Sequence, residues 1–153
     1  MPEKGEAAPD FEGSAQGGQR VRLADLRGRK IALYFYPKDD TPGCTKQACN
    51  LRDGHQDLLN EGIVVIGVSP DDEASHAKFA GKYDLPFPLL ADPDKDIIGR
   101  YGVWGEKNLY GKKTMGLKRT TFLIDEEGCI VHVFKRPKVL NHKREIMEKF
   151  NLA

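Results

Sequence analysis

Charge of one sign is what this sequence lacks most plainly: 24 Lys and Arg stand against 23 Asp and Glu, a formal net charge of +1. A surface built to hold nucleic acid or an anionic bilayer needs a marked cationic excess, so neither partner is expected. Long apolar runs are missing too. The longest, Ile63 to Val68, falls far short of the roughly 20 residues a membrane-spanning helix needs. The opening M-P-E-K-G-E-A-A-P-D-F has neither the basic start nor the apolar core of an export signal, which points to a soluble, cytoplasmic protein. Cysteine is scarce as well. Three in 153 residues exclude a disulfide-stapled scaffold and leave catalytic, redox or metal roles open.

What is present suits one ordinary domain over residues 1–153, since 39% hydrophobic content can bury a sheet under helices. The runs I31-A-L-Y-F-Y-P37 and G62-I-V-V-I-G-V-S69 read as central parallel strands buried on both faces. Between them, Ala48, Leu51, His55, Leu58 and Leu59 recur at helical spacing, predicting one helix with a single packed face that Gly62 ends. A second helix is expected from Asp72 to Tyr83, an extended piece from Leu85 to Ala91 and a short helix around Lys95 to Tyr101. The stretch Gly102 to Lys118, with four glycines and four lysines, reads as a long solvated loop. T120-T-F-L-I-D125 and C129-I-V-H-V-F134 flank a turn and predict an antiparallel hairpin, and Asn141 to Phe150 an amphipathic helix. A smaller hairpin is expected around Gln16 to Gln19. This order predicts an α/β protein of thioredoxin-like fold, a central mixed β-sheet flanked by helices.

The chemistry concentrates in P37-K-D-D-T-P-G-C-T-K-Q-A-C49. Thr41 suits a helix N-cap and Pro42 the first helical position, which puts Cys44 in the first turn. Unpaired N–H groups and the positive end of the helix dipole there stabilise an anion, and the thiolate is the reactive form of cysteine. Cys49 falls on the same helix, five residues on. Helical geometry sets the two thiols about 140° apart around the axis and their Cα atoms roughly 8.7 Å apart, whereas a disulfide needs less than about 7 Å. Joining them requires local unwinding. A pair separated when reduced and joined only after opening suits a catalytic cycle with a resolving thiol.

Pro37-x-x-x-Thr41-x-x-Cys44, the following Cys49, and Arg119 in R119-T-T-F-L-I-D125 resemble the peroxiredoxins, specifically the peroxiredoxin Q or bacterioferritin comigratory protein group. A8-P-D-F11, F35-Y-P-K-D39, G67-V-S69 and Y101-G-V-W-G-E-K107 follow in the family's order, so the resemblance covers nearly the whole chain. It implies a thiol peroxidase acting on hydrogen peroxide and organic hydroperoxides. Cys44 would be the peroxidatic nucleophile and Cys49 the resolving thiol of an intramolecular disulfide, which thioredoxin or a similar dithiol then reduces. Thr41 would offer its hydroxyl, Arg119 a fixed cation, and Pro37 a shield against water. The resemblance implies no cofactor and no metal, and an internal resolving cysteine removes the need for a partner subunit, so a monomer is expected. The chain departs from the group in carrying Gln47 where Glu is usual.

Other readings of the same residues stay open at this level. A redox sensor would form the same disulfide but turn over poorly. A zinc module built from Cys44, Cys49 and His55 lacks an obvious fourth ligand. His55 reads as a packed residue on the inner helix face, and Cys129 as an inert buried thiol in a strand.

Overall fold

The structure is a computed structural model that describes residues 1–150. Seven strands form one mixed sheet: β1 (Glu12–Ala15), β2 (Arg20–Arg22), β3 (Lys30–Phe35), β4 (Ile63–Ser69), β5 (Leu89–Ala91), β8 (Thr120–Ile124) and β9 (Ile130–Phe134), in the order β2-β1-β5-β4-β3-β8-β9. The two strands read as central, β3 and β4, pair in parallel, and β4 pairs in parallel with β5. The remaining pairs are antiparallel, including the expected hairpins β1–β2 and β8–β9.

Alternation along β3 divides the core. Ile31, Leu33 and Phe35 face one apolar layer with Phe11, Tyr101 and Phe122. Ala32, Tyr34 and Tyr36 face the other, beneath the helices α1 (Pro42–Asp53), α2 (His55–Asn60), α3 (Glu73–Tyr83) and α5 (His142–Lys149). Each fully buried large side chain contributes about 1.5–3 kcal/mol, so the alternation fixes which residues can face the site. Gly67 is needed here. A Cβ on it would lie 2.9 Å from Cζ of Tyr34 and 2.8 Å from Leu89, so its absence lets the Tyr34 ring cross β4.

Three expectations change. The single helix expected between β3 and β4 is two, α1 and α2, broken at Gly54. The backbone there is packed against Lys143 of α5, whose side chain occupies the space a Cβ would take. Leu59 accordingly is exposed and not on a packed face. The stretch expected as a loop is a second, two-stranded sheet, β6 (Trp104–Leu109) and β7 (Lys112–Leu117), following α4 (Asp96–Tyr101). Its turn residues Tyr110 and Gly111 have φ of 53° and 77°, the paired left-handed conformation of a tight two-residue hairpin. Cys129 precedes β9, half-buried, bridged to Ala7.

Candidate active site

Strand pairing assembles the site. Because β3 and β8 run antiparallel with Phe35 opposite Thr120, the segment leaving β3 emerges beside Arg119. That segment, Tyr36 to Thr41, turns through Asp40 at φ 57° and delivers Thr41 in extended conformation as the N-cap of α1. Pro42 follows at the first helical position, as the sequence indicated. The capping itself differs from expectation. The Thr41 hydroxyl makes no cap bond to the helix and donates to the Lys38 carbonyl at 2.8 Å. This hydroxyl staples its own loop.

Cys44 is 1% exposed, within the first turn of α1. Arg119 Nη2 donates toward its Sγ at 3.2 Å, while Nη1 donates to Gln47 Oε1 at 2.6 Å. Gln47 lies one turn after Cys44 and is fully buried, so thiol and amide oxygen present one acceptor pair to the planar guanidinium. A Cβ at Gly43 would stand 3.2 Å from Arg119 Nη2. Glycine leaves that guanidinium room against the helix start.

The structure brings Cys44, Arg119 and the Thr41 loop together, with Pro37 half-buried at the head of that loop. It does not join Cys49 to Cys44. Both are free thiols on the continuous helix α1, Cys49 half-buried one and a half turns on. His55 opens α2, its ring centroid 5.6 Å from that of Phe87, a packing position. Burial holds its ring below the ordinary value.

Neighbours of the site escaped the sequence reading. Lys107, assigned there to a solvated loop, is half-buried on β6; desolvation lowers its pKa first, and the Arg119 charge adds to this, with Cys44 opposing. Tyr34 is fully buried beneath α1; desolvation pushes its hydroxyl well up, with the negative forms of Cys44 and Asp39 adding to it. Among the described residues, neither the Tyr34 hydroxyl nor Gln47 Nε2 finds a hydrogen-bond partner. The Gln47 orphan follows from its bond to Arg119: a guanidinium only donates, so the amide oxygen faces it and the NH₂ is left buried without a partner among the described residues. A change from Glu to Gln was visible in the sequence; that the residue grips Arg119 was not.

Comparison with known proteins identifies the family. The AhpC/TSA family profile matches residues 4–133. A protein described as the putative peroxiredoxin bcp of Coxiella burnetii is 50% identical over 145 residues, covering 95% of this chain and 96% of that one. Peroxiredoxin Bcp of Bacillus subtilis is 44% identical over 146 residues, covering 95% and 93%. A solved structure of the bacterioferritin comigratory protein of Xanthomonas campestris matches with a TM-score of 0.89 and 32% identity, over 98% of both chains. The thioredoxin-like arrangement expected from the order of elements is therefore shared with solved peroxiredoxins. A likeness that runs through 95% of the chain with half its residues identical is too extensive for a chance match of one motif, and the chain belongs to the AhpC/TSA family, among its peroxiredoxins of the bacterioferritin comigratory protein group.

Proposed function

We propose that Cys44 is the peroxidatic nucleophile of this thiol peroxidase and Cys49 its resolving thiol. The observation that carries the assignment is the 3.2 Å contact of Arg119 Nη2 with Cys44 Sγ at the N-terminus of α1. A fixed guanidinium and the first-turn N–H groups of Gly43 and Cys44 stabilise negative charge on sulfur and then on the departing oxygen.

The Cys44 thiolate attacks one oxygen of the hydroperoxide, the O–O bond breaks, and the other oxygen leaves as alkoxide or hydroxide and takes up a proton. Sulfur is oxidised by two electrons to a sulfenic acid. Cys49 then attacks that sulfur, water leaves, and an intramolecular disulfide forms. The α1 helix must open for this step, because helical spacing holds the two Cα atoms roughly 8.7 Å apart. A dithiol donor of thioredoxin type returns both cysteines to thiols by exchange.

Pro37 shields the sulfur, and Thr41, already anchored to Lys38, presents its hydroxyl oxygen as an acceptor toward the incoming hydroperoxide. The Xanthomonas relative has alkyl peroxide reduction activity, which supports organic hydroperoxides as substrates beside hydrogen peroxide. We assign the chain as one domain over 1–153 that works as a cytoplasmic monomer; no described helix is long and apolar enough to cross a membrane. Turnover of hydrogen peroxide and an organic hydroperoxide with NADPH, thioredoxin reductase and thioredoxin tests the reading. Cys44→Ser, whose alcohol cannot form a sulfenic acid, should abolish it, and near-normal turnover by that variant would refute the assignment.

A further inference from the structure

Beside the site lies a buried polar network centred on Asp39, which is 8% exposed, and His76, which is fully buried. One Asp39 carboxylate oxygen accepts from the Tyr36 hydroxyl at 2.5 Å; the other accepts from the Ser75 hydroxyl and faces His76 Nδ1, each at 2.7 Å. His76 Nε2 faces the Leu90 carbonyl of β5 at 2.9 Å. The Asp39 N–H donates to the Asp71 carboxylate at 2.8 Å, which also takes the Ser69 hydroxyl at 2.7 Å. Ligand atoms of Asp39, Asp71 and His76 lie within 4.8 Å of one another. Every one of these groups already has a protein partner, so the cluster is a closed network and not a vacant metal site.

Its position suggests its use. The chain from Tyr36 to Thr41 has no regular structure of its own, and Asp40 holds a left-handed backbone at φ 57°, a conformation less common for residues other than glycine, inside a network of tertiary contacts. Asp39 fixes it from one side; Asp40 is tied on the other to Lys82 at 2.8 Å and to the Tyr83 hydroxyl at 2.9 Å. Apart from Tyr36, which opens the loop itself, these anchors belong to α3, to β4 and β5, or to the connection at Asp71. None belongs to α1. The loop is therefore held by a body distinct from the helix that must open.

We infer that Asp39 and His76 are positioning residues for the peroxide-reducing step: the pair clamps the Pro37–Thr41 loop to α3 and β5, and so sets Thr41 against the incoming peroxide. The inference rests on the proposed role of Cys44. The clamp acts on formation of the sulfenic acid and leaves its resolution by Cys49 untouched, since resolution needs α1 to open and the clamp does not hold α1. A displacement of reacting groups by about 1 Å can cost up to about a hundredfold in rate, so a loosened loop should be kinetically visible.

Rapid-quench alkylation with mass spectrometry follows thiol, sulfenic acid and disulfide separately after peroxide addition. Asp39→Asn should slow sulfenic acid formation at least about tenfold and leave disulfide formation from the sulfenic acid unchanged. Amides 38–41 of the reduced variant should exchange faster than in the unmutated chain. Ser75→Ala removes one donor from a half-buried position without stranding a charge, and should give a smaller, roughly threefold fall in the same step. This second variant carries the test if Asp39→Asn does not fold. Unmutated oxidation rates in the folded variant, or equal slowing of both steps, overturn the positioning role. Failure of the unmutated chain to oxidise at Cys44 overturns the peroxidase assignment beneath it.

Discussion

Arg119 divides its two terminal nitrogens between Cys44 Sγ at 3.2 Å and Gln47 Oε1 at 2.6 Å. One planar cation is thereby held by a fixed amide on one side and left to serve the sulfur on the other. Arg119→Met keeps much of the side chain's bulk and removes the charge. Sulfenic acid formation should slow by about a hundredfold, in the range seen when one preorganised donor to a transition state is lost. Rapid-quench measurement of the first oxidation checks this, and an unchanged rate would make Arg119 purely structural.

Cys49→Ser separates the two chemical steps. This variant should consume one equivalent of peroxide at the native rate and then stall with oxidised Cys44. Oxidised native protein should show faster amide exchange between Thr41 and Arg52 than reduced protein, because the bond cannot span an intact α1. Continued turnover by the variant, or equal protection in both redox states, would show that resolution comes from elsewhere.

Tyr34 offers a prediction on stability. Its hydroxyl is buried and unpaired among the described residues, and an orphaned buried hydroxyl costs stability that its removal recovers. Tyr34→Phe keeps the ring that fits over Gly67 and should stabilise the reduced protein by about 1 kcal/mol. Urea unfolding reads the midpoint; a clear loss of stability would mean the hydroxyl is satisfied.

His142 sets an acid limit. Its side chain is buried between Thr121 Oγ1 at 2.8 Å and Glu145 Oε1 at 2.9 Å, and desolvation holds its ring below the ordinary value of 6.5, outweighing the opposing effect of Glu145. A ring harder to protonate folded than unfolded takes up its proton on unfolding. The stability it contributes is whole above pH 6.5 and is lost as pH falls through the folded value. Burial lowers His55 and His132 in the same direction. The melting temperature should therefore fall on acidification below pH 6.5, and His142→Gln should flatten that fall.

The parts of this protein legible from its sequence are those that local pattern decides. β3 and β4 announce themselves because strands buried on both faces are unbroken apolar runs, and Thr41 with Pro42 marks a helix start because both signals are adjacent in the chain. The break at Gly54 depends on Lys143, brought there only by tertiary packing. β6 and β7 were hidden because their exposed residues alternate weakly and Tyr110-Gly111 is not a usual hairpin turn sequence. The catalytic motif could be read by resemblance. What holds it, Gln47 on Arg119 and His76 on Asp39, joins residues far apart in the chain, and neither bond leaves a local trace.

The central claim is that peroxide oxidises Cys44 and that Cys49 closes the cycle. Peptide mass mapping of the native chain after one equivalent of hydrogen peroxide, with free thiols alkylated, tests it most directly. The account predicts a Cys44–Cys49 disulfide with Cys129 still alkylated; Cys44 left as a free thiol, or joined to Cys129, would contradict it.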